Sequence, residues 1–429
     1  MRDFTTGVKP FGALAPLRLW YRGSSTVMGI RTPFVVLAGL WALVSAGAAS
    51  AAEVTDVLSA RNLKDRDIHV SLAWQHDRET ASVRREYVQT TGTLMINDVT
   101  YHHSRDSLRL RAEVALVHDL SFFLGGSLVV ADDRNLDYDK RGDCAATPCL
   151  ETLLRDGFVP AAQDANRVFA GPARNGLEYL ALGLRWAAMN QARDHVKPIW
   201  VLGLESRFSV AGDQRFDPGN PTGNHAVGLG YHQFIFSSIF SQRFGAFEPY
   251  MGGWFMQPML TSSSVYKNVG TGTSSSPQQR TGGDLGIEGT VWEDPNLHAR
   301  VALEAAGDIE YRLEGLAQSE LWEVLSGNPQ CATNASLCRA GIDVNNAPNS
   351  GIVRSPAYGV FGGDAGFSAH FGRYARLRGL FGMRFQEGHF LTDGGSGNAV
   401  YDVPGRRFRI EDAYSWHILV EATATFATF

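Results

Sequence analysis

The sequence predicts an all-β fold: a closed antiparallel transmembrane β-barrel of about 12 strands. Three observations predict it. Segments of about ten residues alternate apolar with polar or small side chains, and the connections between them alternate between short and long. Beyond residue 52, no apolar run is long enough for a helical span. The composition agrees, since 19% of the 429 residues are charged, below the ~25% usual in soluble proteins, while 11% are aromatic and 46 are Gly.

The alternation begins at Asp67, where Ile68, Val70, Leu72 and Trp74 oppose His69, Ser71, Ala73 and Gln75. Leu108, Leu110, Ala112, Val114 and Leu116 then oppose Arg109, Arg111 and Glu113, a pattern that a helix would smear around its circumference and a strand sorts onto two faces. The theme returns in Leu180 to Trp186, in Leu285 to Val291, in Val301 to Ile309, in Leu377 to Phe385 and in Trp416 to Ala422. Twelve strands follow, centred near residues 72, 112, 125, 182, 204, 234, 252, 287, 305, 365, 380 and 418. Short turns are expected at 118–120, 190–197, 242–246, 293–296 and 372–374. Long loops are expected at 78–106, 131–175, 211–224, 257–281, 312–356 and 387–407.

Residues 1–52 read as a lead-in and secretory signal peptide. Arg31 precedes an apolar stretch from Phe34, and the small residues Ala49 to Ala52 give an A-x-A-like cleavage site before Glu53. Met28, which sets the basic residue directly against the apolar core, is the expected translation start. Residues 53–66 form a short periplasmic segment, too small for a plug domain, and 67–429 form the barrel. The leader holds five basic residues and one acidic one, so removing it takes the net charge from −5 to about −9. That balance disfavours nucleic acid as a partner.

Aromatic residues gather beside the short turns: Phe122, Phe123, Trp186, Trp200, Phe240, Phe244, Phe247, Phe371 and Tyr374. They are expected to form a girdle where hydrocarbon meets headgroups. The chain ends on Phe429 after an alternating strand. That ending resembles the C-terminal signal of bacterial outer-membrane β-barrel proteins, and with the repeated alternation it makes residues 67–429 similar to that porin-like class. The resemblance implies a bacterial outer-membrane location, long extracellular loops, short periplasmic turns, lipid contact around the wall, and recognition of the last strand by barrel-assembly machinery. Phe429 departs from the pattern by lying on the opposite parity from Trp416, Ile418, Val420 and Phe426, which implies a bulge near the end.

Charges are costly on a lipid-facing wall, so the lumen must receive them. The expected pore-lining set is Arg109, Arg111, Glu113, Arg185, Glu205, Arg207, Glu288, Arg300, Glu304, Asp308, Asp364, Arg376, Arg378 and Arg384, with Asp284, Arg409, Glu411 and Glu421 on the same face. Two readings stand side by side: a neutralising salt-bridge lattice, and a narrow channel with the Arg stretch 376–384 and the carboxylates 304–310 on opposing walls. Cys144 with Cys149 and Cys331 with Cys338 are expected to form one disulfide within each of two long loops, an oxidising compartment favouring the bond.

No metal ligand set and no cofactor are expected. The function expected is passage of small hydrophilic solutes through an outer-membrane channel. The alternatives are a non-conducting structural or adhesive barrel, and a hydrolase built on rim residues such as His76 with Asp77, His102 with His103, or His389. No catalytic residue is assigned, because no G-x-S-x-G or comparable run places a nucleophile beside a histidine.

Overall fold

The computed structural model describes residues 66–138, 167–214, 225–268, 276–320, 352–391 and 407–428, apart from positions 90, 118, 172, 195 and 319, together with Thr55, Val57 and Leu58. The leader, all four cysteines and Phe429 lie outside the described residues, and so do most of the longest loops.

Twelve long strands make the wall: β1 (Arg66–Gln89), β2 (Gly92–Val117), β3 (Leu120–Tyr138), β4 (Arg174–Met189), β5 (Ile199–Ser209), β6 (Tyr231–Ser241), β7 (Phe247–Leu260), β8 (Arg280–Asp294), β9 (Ala299–Arg312), β10 (Tyr358–Phe371), β11 (Ala375–Gln386) and β12 (Phe408–Thr428). Each contains one of the twelve centres read from the sequence. Every strand pairs antiparallel with its neighbours in chain order, and β1 pairs with β12 from Arg66 opposite Thr428 to Arg85 opposite Phe408. The sheet therefore closes and has no free edge, the condition under which a β-structure can cross hydrocarbon.

Four of the five short turns fall where the sequence puts them; the one expected at 293–296 lies at 295–298, because β8 runs on through Asp294. Four of the five use a residue with positive φ to reverse the chain: Asp119 (61°), Gly245 (62°), His298 (48°) and Gly372 (64°). Asp119 carries a Cβ and is held in place by Asn190, whose amide donates to it at 3.0 Å, and by Arg193 at 2.8 Å.

One region departs from the sequence reading. Residues 78–106, expected as a loop, are strand at every described position except the turn residue Thr91, so β1 and β2 run on as one tall hairpin. The physical reason is that strand continuation needs only hydrogen-bonded partners, and β12 and β3 extend alongside to supply them. Likewise β3 continues to Tyr138, where Arg167–Ala170 pairs with it. At the same end, the two-stranded piece formed by Gly315–Gln318 and Ile352–Ser355 packs into an apolar cluster with Tyr231, Val265 and Tyr266. That cluster ties together the β5–β6, β7–β8 and β9–β10 connections.

Candidate channel lumen

The two faces of the wall have opposite chemistry. Outward positions hold Leu72, Leu110, Leu124, Leu182, Leu204, Phe236, Met251, Leu285, Leu303, Phe367, Phe381 and Val420, all exposed. An apolar surface of this extent is not stable in water. Trp186, Phe240, Phe244, Phe247, Phe371 and Tyr374 are exposed at the short-turn end. Trp74, Phe255, Tyr311, Phe361, Phe385 and Tyr414 are exposed toward the other end, giving the two aromatic levels of a bilayer-spanning wall. Phe123, expected in the girdle, is instead 4% exposed and points inward beneath the Arg111 guanidinium, 3.7 Å from its ring centre. Its parity on β3 is opposite to that of Phe122 and Leu124.

Contacts that reach over an intervening strand identify the inner face, because curvature brings such side chains together only on the concave side. Arg378 on β11 donates to Glu304 on β9 at 2.7 Å, over β10. Tyr250 on β7 donates its hydroxyl proton to the other Glu304 oxygen at 2.6 Å, over β8. Arg384 donates to Asp308 at 3.0 Å, and Arg185 on β4 lies 4.0 Å from Glu113 on β2.

Pairing register adds the rest. Arg109 and Arg111 share the parity of Glu113, and Arg207 and Glu205 oppose Ala181 and Gly183. Arg300 bonds to Glu288 with both side chains almost fully buried. Asp364 meets His417 at 3.1 Å, and Arg376 meets Glu421 at 2.7 Å. The fourteen charged residues singled out in the sequence stand on this face. A closed ring with an oily outside and a charged inside decides the class. The chain folds as a membrane-spanning β-barrel.

The charges of this barrel are arranged differently from the opposing walls expected. Arg376, Arg378 and Arg384 do not face the carboxylates 304–310 across the lumen. With only β10 between β11 and β9, Arg378 and Arg384 neutralise Glu304 and Asp308 on the same wall. Arg409 and Glu411 are not on the inner face at all. The register of β1 against β12 shifts between Thr80 and Ser82, beside the positive-φ residue Asp412 (52°). The extra residue on β12 reverses that strand's parity, so Ile410 points inward beside Val83 while Arg84, Arg409 and Glu411 form an ion-pair group outside.

Glycines on the inner wall let large side chains lie flat against it. A Cβ at Gly286 would stand 2.9 Å from the Ala305 carbonyl oxygen and closer still to the Tyr250 ring. One at Gly382 would collide with both Asp364 and His417. The Tyr250–Glu304–Arg378 and Asp364–His417 contacts depend on those gaps.

Toward the short-turn end the lumen holds a chamber of about 320 Å³. It is lined by one continuous arc of wall, from Arg376, Arg378, Glu421 and Thr423 through His69 and Ser71 to Arg111, Glu113, Phe123, Arg185, Glu205, Ile235 and Ser237. Leu58 also borders it. The described residues of the segment before β1 are seated inside the barrel: Val57 packs with Ala187, Ile199 and Val201, and the Leu58 amide approaches Glu113 at 3.5 Å. Ser241 donates to Glu248 at 2.6 Å, so Thr55 donates to Ser241 at 2.8 Å. Sequence reasoning missed this strap, because its three anchors are small apolar or hydroxyl residues without periodicity. It also missed Tyr250, whose partner is two strands away and leaves no local signal.

Toward the long-loop end a second charged group fills the inner face. His103 reaches Asp132 at 3.3 Å and Glu79 at 3.8 Å, Arg134 reaches Asp132 at 3.3 Å, and Arg105 reaches Glu178 at 2.6 Å over β3. The adjacent pairs considered for hydrolysis do not form dyads. His76 and Asp77 point to opposite faces, and His76 pairs outside with Asp106 at 3.0 Å. His102 and His103 are likewise split, and His389 stacks on Tyr358 with ring centres 3.7 Å apart.

No family model and no curated protein matches the sequence. Among solved structures the chain is similar to an outer-membrane channel from Pseudomonas putida F1, at 12% identity and a TM-score of 0.41, covering 86% of this chain and 99% of that one. It is similar to a Pseudomonas aeruginosa FadL homologue at 8% identity and 0.32, covering 86% and 93%. It is also similar to the outer-membrane protease OmpT from Escherichia coli at 8% and 0.25, covering 87% and 100%. These likenesses fix neither a solute nor a reaction.

Proposed function

We propose that the barrel is a passive channel for small hydrophilic solutes. The observation that supports this reading best is the chamber of about 320 Å³ inside a wall whose charges are mostly paired with one another. Paired charges give a polar surface that solutes can wet without any one group trapping them, which suits passage rather than storage. The outward apolar belt then meets lipid, and the closing strand β12 is the part that assembly machinery reads. No chemical step is assigned to any residue.

Planar-bilayer recording of purified protein tests the reading: stepwise currents are expected. Val57→Asp, which places a charge among Ala187, Ile199 and Val201, expels the strap and raises unit conductance severalfold. A silent bilayer with wild type and Val57→Asp alike, both folded, would contradict the channel. The second reading, a structural or adhesive barrel, is favoured by the buried strap at one end and the apolar cluster tying loops at the other. That silent result would support it.

A further inference from the structure

One piece of the long-loop end stands over the lumen rather than in the wall. The short pair Gly315–Gln318 and Ile352–Ser355 lies against the β7–β8 connection, where the Gln278 amide donates to the Leu316 carbonyl at 3.1 Å and the Leu316 amide to the Ser276 carbonyl at 3.0 Å. Gln318 reaches the β5–β6 connection, its side-chain amide donating to the Gln214 carbonyl at 3.2 Å. Two residues on, Glu320 faces a different set of strands. It is within electrostatic reach of Glu79 on β1, Tyr101 on β2, Arg312 on β9 and Tyr358 on β10, and Gln386 on β11 is beside it. A residue in the wall meets only its neighbours, so one that meets this whole arc hangs over the opening. Glu320 is also poorly served. Arg312 donates to Glu310 at 2.6 Å and to the Tyr358 hydroxyl at 2.7 Å, and Arg280 lies 3.7 Å from the same Glu310. Glu79 has His103 at 3.8 Å, which also reaches Asp132, the partner of Arg134. Among the described residues no cation forms an ion pair with Glu320, and a second carboxylate faces it.

We propose that Gly315–Gln318, Ile352–Ser355 and Glu320 form a lid over the long-loop mouth, latched while Glu320 carries its proton and released when it loses it. The inference rests on the channel reading given above, since a lid acts only where something passes. Closing the lid takes the Glu320 carboxyl out of water and sets it against Glu79, and both changes disfavour the charged form. Together they push Glu320 up to about 7, from an ordinary value near 4.3. Lifting the lid returns the group to water, so the shut form holds a proton that the open form releases. Closure is therefore strongest below about pH 4.3 and weakens as pH rises through 7. Between pH 5 and pH 8 the ratio of shut to open falls about a hundredfold. His389, stacked on Tyr358, acts in the opposite sense, because its protonation loosens the same end on acidification.

Limited trypsin digestion of the detergent-solubilised protein at pH 8 reads the lid without needing conduction. Arg354 lies on one of its paired strands, opposite Leu316, so the bond after Arg354 is cut when the pair comes away. Wild type is expected to be cut there about a hundredfold faster than Glu320→Gln, whose amide stays neutral. Glu79→Gln removes the facing charge and slows the cut in the same direction by a smaller factor. Heat-modifiable gel mobility confirms that each variant is folded. Equal cutting in wild type and both variants would overturn the lid. Bilayer recording then ties the lid to passage. Wild-type current larger at pH 8 than at pH 5, with that difference lost or reversed in Glu320→Gln, upholds the gate. Conducting wild type and Glu320→Gln that respond alike to pH overturn it and leave the channel standing. A silent bilayer speaks against the channel alone, and the trypsin comparison then decides the lid.

Discussion

The wall of this barrel is tall on one side and short on the other. β1 and β2 have 24 and 26 residues, whereas β5 and β6 have 11 each. A tilted strand crosses a bilayer in about 9–11 residues, so β5 and β6 stop where the lipid stops. β1 and β2 continue for roughly another 45 Å of strand at about 3.3 Å per residue.

The chemistry follows the height. On the short side, outward residues such as Leu204, Phe236 and Phe240 are apolar, with the uncharged Ser206 and Ser238 among them. On the tall side, outward residues turn from Leu72 and Trp74 to Arg78 and Arg84, and the ladder slips between Thr80 and Ser82 and again between Val83 and Arg84. Lipid on one face favours two-residue alternation, and the shifts found there, between Ser127 and Leu128 and between Val301 and Ala302, are single-residue ones. Where both faces meet water or protein, slips and bulges become tolerable.

The largest effect expected from this difference concerns ion pairs at the two places. Arg300 and Glu288 are buried on the inner wall between β9 and β8, so Arg300→Ala removes a buried counter-charge of Glu288 and costs about 3–5 kcal/mol. Arg84 pairs with Glu411 and Asp412 on the outer face of the tall side, with Asp412 mostly exposed. Arg84→Ala is expected to cost about 0–1 kcal/mol. Denaturant unfolding from lipid vesicles measures both, and equal losses would break the contrast.

Gly286→Ala is expected to fall between them, at about 1–3 kcal/mol for overpacking. Its methyl group would drive Tyr250 off Glu304, which a rise in tyrosine solvent accessibility would report.

A smaller effect is expected with pH, beyond the end of β11. Burial holds His389 down to about 4, and the nearby Arg312 and Arg409 charges act the same way. The ordinary imidazole value is near 6.5, so the unfolded segment takes up a proton that the folded one refuses. The stability due to neutral His389 is therefore full above about pH 6.5 and falls as pH drops from there toward 4. Protease cleavage near Tyr358 should accelerate across that window in wild type and not in His389→Phe, where the ring stacks without titrating.

The twelve strands were legible because each has a stretch with lipid on one side and water on the other, and that contrast is what alternation records. The tall hairpin was not legible. Residues 78–106 have polar groups on both faces, which in sequence looks like a loop. Parity also identified the inner-face charges from Arg109 to Arg384, since a membrane wall leaves them nowhere else to go. Which charge pairs with which could not be read, because Arg378 with Glu304 and Arg185 with Glu113 meet over an intervening strand, and sequence spacing carries no curvature. The misplacement of Arg409 and Glu411 has a single cause, the slip beside Asp412. The strap of Thr55, Val57 and Leu58 is held by tertiary contacts, among them burial of Val57 and the Thr55–Ser241 hydrogen bond, which leave no periodic signal.

One strand carries both environments. Leu110 and Thr100 lie on the same outward face of β2, ten positions apart, Leu110 within the apolar belt and Thr100 on the tall extension. Folding free energies in lipid vesicles should show Leu110→Arg losing about 2–4 kcal/mol and Thr100→Arg only about 0–1. Equal and small losses at both positions would contradict a lipid-facing wall, and with it the barrel in a membrane on which the rest depends.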